Sequence, residues 1–188
     1  VLMDPIDSIN PKKDSTLAMM LAAQARDWRI SIFTQSDIYI EDGEVFILAT
    51  DVTLYDDIET WYEVRDQRTI NAKDFDCILM RKDPPFDMEY IYATYLLELI
   101  EKGGIPVLNR PGSIRDCNEK LFALQFPTCT PSYLVSRNQE KLKAFHQKHK
   151  DVIYKPLDGM GGASIFRASP NEQNLSVIIE TLTQHGQM

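Results

Sequence analysis

Residues 152–164 read Val152-Ile153-Tyr154-Lys155-Pro156-Leu157-Asp158-Gly159-Met160-Gly161-Gly162-Ala163-Ser164. A short apolar strand, predicted over 152–155, thus ends on a lysine and runs straight into a glycine-rich turn. Glycines permit positive φ and let several backbone N–H groups approach one anion, and a lysine at the strand end adds a positive charge. The stretch is therefore typical of a phosphate-binding loop.

The order of the parts in this loop excludes the two commonest nucleotide motifs. A Walker A loop has its lysine after the last glycine, whereas Lys155 comes before Gly159. A dinucleotide fingerprint has a glycine five residues after its first glycine, and here that position is Ser164. The residues alone leave two interpretations open, a third type of nucleotide loop and a tight turn.

Matching phrases extend over nearly the whole chain. In chain order they are Met3-Asp4-Pro5-Ile6, Lys12-Lys13-Asp14-Ser15, Ile78-Leu79-Met80-Arg81-Lys82-Asp83-Pro84-Pro85-Phe86-Asp87, Arg115-Asp116-Cys117-Asn118-Glu119-Lys120-Leu121-Phe122 and Lys155-Pro156-Leu157-Asp158-Gly159-Met160-Gly161-Gly162. Together they resemble the bacterial glutathione synthetases, which are ATP-grasp ligases. The resemblance implies a pre-ATP-grasp domain of dinucleotide-fold type over 1–114, followed by the first lobe of an ATP-grasp domain over 115–188. The second lobe is expected after Met188.

The pattern of elements independently predicts an α/β fold. Helical and strand signals alternate, and β-α-β alternation predicts a parallel sheet covered by helices. Asp42-Gly43, between two apolar runs, is a strong hairpin signal. The segment 56–71 is assigned only loose structure. In the first half we predict helices over 14–26 and 88–102 and strands over 29–33, 38–40, 45–49, 77–80 and 105–108.

The second half is predicted to continue the alternation after a boundary near Pro111-Gly112, because proline and glycine interrupt regular structure. The predicted helices are 113–126, 138–149 and 171–183, and the predicted strands are 133–135, 152–155 and 163–166.

Composition limits the possible functions without naming one. The chain has 188 residues, of which 44% are hydrophobic and 26% charged, so it can form a core of one or two domains. No apolar run approaches the ~18 residues of a membrane span. The net charge of −8 argues against nucleic-acid binding. Three cysteines without C-x-x-C spacing indicate a reducing compartment, so we expect a cytoplasmic protein. We also expect a homo-oligomer.

Lys120 and Lys155 are the predicted catalytic residues. A lysine is usually a solvated surface residue, but Lys155 ends an apolar strand, and the resemblance implies that both lysines contact the ATP phosphates. The glycine loop is implied to close over them, because its N–H groups can donate to phosphate oxygens. The predicted ATP-binding set is Lys120, Lys155, Asp158, Gly159, Met160, Gly161, Gly162, Ala163 and Ser164.

A substrate site is predicted where two strands end. Ligands of open α/β sheets bind at the carboxyl ends of strands, and Arg81 and Asp83 follow a predicted buried strand, although a capped, proline-stiffened turn is an equal alternative. Val1-Leu2-Met3 resembles the end of a strand, and by the resemblance the loop 4–14 that follows it faces the peptide substrate. Its polar candidates are Asn10, Lys12 and Asp14. His146 and His149 lie three apart on a helix, but without a third ligand we interpret them as a solvated face and predict no metal ligands.

The resemblance implies the substrates and the reaction. Such enzymes join γ-glutamylcysteine to glycine with ATP, through an acyl phosphate of the dipeptide. Mg²⁺ is implied as well, with ligands expected in the second lobe, so the 188-residue chain alone is expected to be inactive. Three alternatives remain: another ATP-grasp amino-acid or peptide ligase, a non-catalytic ATP-binding protein of the synapsin kind, and a Rossmann-type oxidoreductase, which the missing third glycine disfavours.

Overall fold

The computed structural model describes residues 1–184. The chain divides into two compact units, Val1–Asp116 and Cys117–Met188. The predicted domain boundary between residues 114 and 115 remains a prediction. Within the described part of the chain, no helix is both long and apolar enough to cross a membrane.

The first unit contains both helices and strands, in an α/β arrangement. Its elements, in chain order, are α1 (Ser15–Gln24), β1 (Ile30–Ile32), β2 (Ile38–Glu41), β3 (Glu44–Leu54), β4 (Tyr62–Asn71), β5 (Ile78–Leu79), α2 (Met88–Lys102), β6 (Val107–Leu108) and α3 (Pro111–Asp116).

An antiparallel sheet is built around β3. This strand pairs with β1 and β2 along one edge and with β4 along the other. Asp42 and Gly43 connect β2 to β3 with φ of 49° and 83°, as the Asp-Gly hairpin signal predicts. The prediction of loose structure over 56–71 holds for 56–61 but is wrong for 62–71, because β4 is a ten-residue strand that pairs with β3 from Leu54 to Phe46.

A smaller parallel arrangement lies beside it. Strands β5 and β6 are parallel, with Ile78 opposite Val107. Leu2 forms parallel bridges with Phe33 and Met80. The predicted parallel sheet is therefore confirmed only for these short segments. The longest strands are antiparallel, because adjacent chain segments joined by short turns can pair directly, whereas parallel strands need a long crossover.

Two helices cover the first unit's core. Along α2, the buried residues Tyr90, Ala93, Leu97 and Ile100 recur at helical spacing and pack in the same cluster as Ile78 and Val107. Asp14 caps α1 by accepting a hydrogen bond from Leu17 N at 2.7 Å. The predicted helix 88–102 is confirmed at both ends, and the predicted helix 14–26 is confirmed as the shorter α1.

The second unit has its own core. Its elements are α4 (Glu119–Phe122), α5 (Gln139–His149), β7 (Val152–Tyr154), β8 (Phe166–Ala168) and α6 (Leu175–Leu182). Strands β7 and β8 are antiparallel, and Val152, Tyr154 and Ala168 pack with Leu142 and Ile179. The interpretation of both histidines as a solvated face is wrong for His146, which is buried and lies 6.3 Å from the Tyr154 ring between centroids.

Three other predictions for this part of the chain are wrong. The helix predicted over 113–126 is broken after Asp116, because the Asn118 side chain accepts hydrogen bonds from Lys120 N and Leu121 N and starts α4. No strand forms over the described residues 133–135. The strand predicted over 163–166 begins only at Phe166, because Ser164 has a φ of 57° and still belongs to the turn.

Candidate functional site

The glycine loop between β7 and β8 contains a tight turn that requires glycine. Ala163 N donates to Met160 O at 2.9 Å, which closes a four-residue turn. Its two central residues, Gly161 and Gly162, have φ of 60° and 82°. Two successive positive φ angles characterise a type I′ turn and are disfavoured for residues with a side chain.

The two halves of the loop differ in the space around them. A Cβ atom on Gly161 or Gly162 would meet nothing within 4 Å, so these glycines face open space. A Cβ on Gly159 would lie 2.6 Å from Pro156 Cγ, which is closer than packed atoms approach. The loop is therefore packed closely at Gly159 and open at 161–162, where a ligand can approach the backbone.

Lys120 connects α4 to the glycine loop. Its ammonium group donates to Gly159 O at 2.6 Å and to Leu157 O at 3.3 Å. It also pairs with the Glu119 carboxylate at 2.7 Å. A lysine ammonium has three donors, and in this structure each has an acceptor.

Asn118 is a contact residue that the sequence reasoning missed. Its Oδ1 accepts from Lys120 N at 3.0 Å, and its Nδ2 donates to Leu157 O at 3.2 Å. One amide thus starts α4 and holds the beginning of the loop. The available signal was an asparagine directly before Glu119-Lys120, which is a strong N-cap pattern.

Lys155 and Asp158 lie exposed on the strand side of the same loop. Lys155 directly follows β7, and Asp158 precedes Gly159. Ala163 and Ser164 complete the turn and are exposed too. Hydrogen bonds thus connect Lys120 to the loop, whereas Lys155 is next to the loop in sequence.

The first unit has a separate polar group at the ends of its parallel strands. Arg81 donates from Nε to Thr16 Oγ at 3.0 Å and from Nη2 to Ser15 Oγ at 2.9 Å. Asp4 pairs with Lys82 Nζ at 2.7 Å and accepts from Asp83 N at 2.9 Å. The segment after β5 is therefore held both to Asp4, near the start of the chain, and to the first residues of α1.

Tyr90 lies close to this polar group. Burial raises the pKa of the Tyr90 hydroxyl, and the negative charge of Asp83 raises it further. The Tyr90 ring also lies 5.2 Å from that of Phe86, between centroids.

The three candidates before α1 make local contacts. Asn10 Oδ1 accepts from Lys12 N at 3.2 Å, and Asp14 caps α1. The Lys12 side chain is exposed. Asn10 and Asp14 thus make structural hydrogen bonds, and of the three only Lys12 is fully available to a ligand.

Family models match both units. The model for the N-terminal domain of prokaryotic glutathione synthetase matches residues 1–115, and the model for the ATP-grasp domain of the same enzymes matches residues 119–188. The chain belongs to the prokaryotic glutathione synthetase family. The family that the sequence phrases resemble is thereby confirmed.

Individual glutathione synthetases align along the whole chain. The chain is 55% identical to the glutathione synthetase of Vibrio vulnificus over 187 residues, which cover 100% of the chain and 59% of that relative. It is 52% identical to that of Pseudomonas aeruginosa and 50% identical to that of Escherichia coli, each over 186 residues, 99% of the chain and 59% of the relative. The chain thus spans about 59% of the length of these glutathione synthetases.

Proposed function

We propose that this chain is part of an ATP-dependent ligase that joins γ-glutamylcysteine to glycine and so makes glutathione. Its membership of the glutathione synthetase family supports this proposal. For ATP binding, the observation that carries it is the hydrogen bond from Lys120 to Gly159 O at 2.6 Å. That bond holds a cationic side chain against a glycine turn that is open to a phosphate.

The proposed reaction has two steps. The cysteinyl carboxylate of the dipeptide attacks the γ-phosphorus of ATP, which gives an acyl phosphate and ADP. The glycine amine then attacks the acyl carbon, the C–O bond to phosphate breaks, and the amide forms with loss of a proton. Catalysis of such transfers consists largely of alignment and charge neutralisation.

In this proposal the two lysines and the loop hold the triphosphate. Lys155 adds its charge at the end of β7, and the N–H groups of 159–164 donate to phosphate oxygens. The open space beside Gly161 and Gly162 supports this role. Asp158, Met160, Ala163 and Ser164 would line the loop, with Asp158 the carboxylate nearest to it in sequence.

Lys120 would have to exchange partners when ATP binds. All three of its donors have acceptors, and two of these are loop carbonyls. A phosphate oxygen can therefore bind the ammonium only by replacing a carbonyl or the Glu119 carboxylate. We propose that this exchange couples ATP binding to the position of the loop.

The dipeptide would bind at the ends of the parallel strands. Arg81 is held by two neutral hydroxyl groups, so its positive charge is not neutralised through those bonds. A guanidinium in this state suits a substrate carboxylate. Asp83, Lys12 and, less directly, Asn10 and Asp14 would complete this surface.

Mg²⁺ is expected in the reaction, but the described residues do not fit a site for it. They contain no group of three His, Cys, Asp or Glu side chains that could hold a metal ion. We propose that the Mg²⁺ ligands lie in the part of the relatives that this chain does not span. We also propose a cytoplasmic homo-oligomer without nucleic-acid or membrane partners.

The deciding experiment measures ADP release by a protein that carries this chain within the full length of its relatives. Release that requires both γ-glutamylcysteine and glycine, with formation of the tripeptide, is expected. Turnover with D-alanine in place of glycine would indicate another ATP-grasp ligase. ATP binding without amine-dependent ADP release would indicate a non-catalytic protein, and saturable binding of NADH an oxidoreductase.

A further inference from the structure

Hydrogen bonds fix both the backbone of Arg81 and one edge of its guanidinium group. The backbone N–H donates to Leu2 O at 2.7 Å. The side chain donates from Nε to Thr16 Oγ1 at 3.0 Å and from Nη2 to Ser15 Oγ at 2.9 Å. Both hydroxyl groups belong to the first turn of α1, and Thr16 is buried. The guanidinium group is therefore oriented before any ligand binds.

These hydrogen bonds leave the other edge of the guanidinium group available. An arginine has five N–H donors in a planar, rigid fork. Two of them bind the hydroxyl groups, and within the described residues the other three, on Nη1 and Nη2, have no acceptor. One N–H on Nη1 and one on Nη2 point in the same direction, which is the geometry that binds both oxygens of a carboxylate. Arg81 thus presents a complete bidentate carboxylate site.

Asp83 provides an exposed negative charge close to Arg81. In the described part of the chain its hydrogen bonds use only the backbone, with N donating to Asp4 and O accepting from Lys82 Nζ at 2.6 Å. Its carboxylate is therefore available to a ligand. Burial raises the pKa of Tyr90, the charge of Asp83 raises it further and the charge of Arg81 lowers it, so both charges act on one hydroxyl group.

We propose that Arg81 and Asp83 bind the glutamyl end of γ-glutamylcysteine, and that Thr16 and Ser15 are positioning residues for Arg81. This inference rests on the proposed function. Because the dipeptide is linked through its γ-carboxyl group, its glutamyl end keeps an α-carboxylate and an α-ammonium group. Arg81 donates to the α-carboxylate through Nη1 and Nη2, and Asp83 accepts from the α-ammonium group.

The other charged groups of the reactants suit this pair of side chains less well. The cysteinyl carboxylate attacks ATP through an oxygen, and a bidentate arginine would engage both of its oxygens and weaken it as a nucleophile. Glycine also carries a carboxylate and an ammonium group, but its amine has to lose a proton before it attacks the acyl carbon. A neighbouring carboxylate favours the protonated amine. The glutamyl end takes no part in the reaction, so it can stay bound throughout.

The test is steady-state kinetics of a protein that carries this chain within the full length of its relatives. Thr16→Val removes the acceptor of Arg81 Nε and keeps a branched side chain. The KM for γ-glutamylcysteine should rise about tenfold, because a hydrogen bond to a charged group is lost. The KM for ATP, the KM for glycine and kcat should stay within about twofold of the parent. Thr16→Ser keeps the hydroxyl group and is the matched control, with a KM close to that of the parent.

Two further measurements separate positioning from a general structural effect. In an Arg81→Gln background, Thr16→Val should cause no additional rise in KM, because the side chain that it orients is gone. Ser15→Ala should give the same pattern as Thr16→Val. Since Ser15 is exposed, this variant keeps the inference testable if Thr16→Val does not fold.

Two analogues of the dipeptide distinguish the two contacts. The γ-aminobutanoyl analogue lacks the α-carboxylate, so Thr16→Val should not raise its KM. The glutaryl analogue lacks the α-ammonium group. Asp83→Asn should therefore raise the KM for γ-glutamylcysteine but not the KM for the glutaryl analogue.

Several outcomes overturn the inference. They are an unchanged KM for γ-glutamylcysteine in both Thr16→Val and Ser15→Ala, an equal rise in the KM for ATP, and an equal loss with the γ-aminobutanoyl analogue. A rise confined to the KM for glycine would assign the two charges to glycine instead. Failure of the proposed function is distinguishable from these results, because the parent protein would then form no tripeptide, and the inference would fall with it.

Discussion

Replacing Lys120 with Met should loosen the glycine loop in the absence of any nucleotide. Methionine keeps most of the apolar stem of lysine but removes the donors to Gly159 O and Leu157 O. A hydrogen bond to a charged group contributes about 1.5–3 kcal/mol. The Lys120 side chain is 20% exposed, and its partner Glu119 is 72% exposed, so the ion pair itself adds little.

We therefore expect a loss of about 2 kcal/mol in the local stability of the loop, or a factor of about 30 in its opening equilibrium. The Ala163 amide reports on this directly, because its N–H is hydrogen-bonded to Met160 O inside the turn. Its hydrogen exchange, measured by NMR, should accelerate by that factor in Lys120→Met.

Glu119→Gln is the control for this prediction. It removes the exposed carboxylate and leaves both loop carbonyls bound to Lys120. Ala163 exchange should then stay close to that of the parent. If Lys120→Met also leaves Ala163 exchange unchanged, the Lys120 contacts do not stabilise the loop and the reasoning is refuted.

Four further predictions follow from the site and its supports. Gly161→Val should slow glycine-dependent turnover of the full-length protein and destabilise the turn by about 1–2 kcal/mol, whereas Gly161→Asn, which tolerates positive φ, should cost less; equal effects would make the turn conformation irrelevant. Lys155→Ala should lower kcat/KM for ATP by the equivalent of about 1.5–3 kcal/mol, and unchanged ATP kinetics would remove Lys155 from the site. Arg167 donates two hydrogen bonds to Asp151 and holds the pKa of that carboxyl below its usual range, so Asp151→Asn should be less stable than the parent at neutral pH in urea unfolding, and the difference should vanish as the pH falls through the lowered pKa. The 188-residue chain, incubated with ATP, Mg²⁺, γ-glutamylcysteine and glycine, should form no tripeptide, because its described residues hold no metal-binding group.

The sequence predicts correctly those parts of the fold that residues adjacent in the chain determine by themselves. Helix α2 has an N-cap at Asp87, apolar residues at helical spacing and Gly103-Gly104 after its end, and the predicted bounds match the structure. The β2–β3 hairpin follows from Asp42-Gly43, whose positive φ angles few other pairs adopt easily. In both cases the residues that decide the structure are neighbours in the chain.

Strand β4 shows why the rest could not be predicted. Four of the first seven residues of β4, Tyr62-Glu63-Val64-Arg65-Asp66-Gln67-Arg68, are charged and five of the seven are exposed, so this stretch lacks the alternation of a half-buried strand. It forms because β3 provides a partner along its whole length, and the register shifts between Asp51 and Val52 to accommodate an extra residue. Strand propensity here depends on a neighbour rather than on the segment itself.

The candidate site likewise combines features that neighbouring residues determine with contacts between residues far apart in the chain. Glycine spacing and the lysine at the end of β7 can be read locally, but the contact of Lys120 with Gly159 joins residues 39 apart and depends on where α4 begins. Asn118 decides that point, because its side chain both caps α4 and binds Leu157 O. The N-cap at Asn118 therefore positions Lys120 against the loop.

It follows that Asn118→Ala should remove both the cap of α4 and the hydrogen bond to Leu157 O, whereas Asn118→Asp should preserve the cap and lose only that hydrogen bond. Accelerated Ala163 exchange in Asn118→Ala but not in Asn118→Asp would show that the helix start, more than the direct amide contact, positions Lys120. Equal acceleration in both variants would assign that role to the amide contact instead.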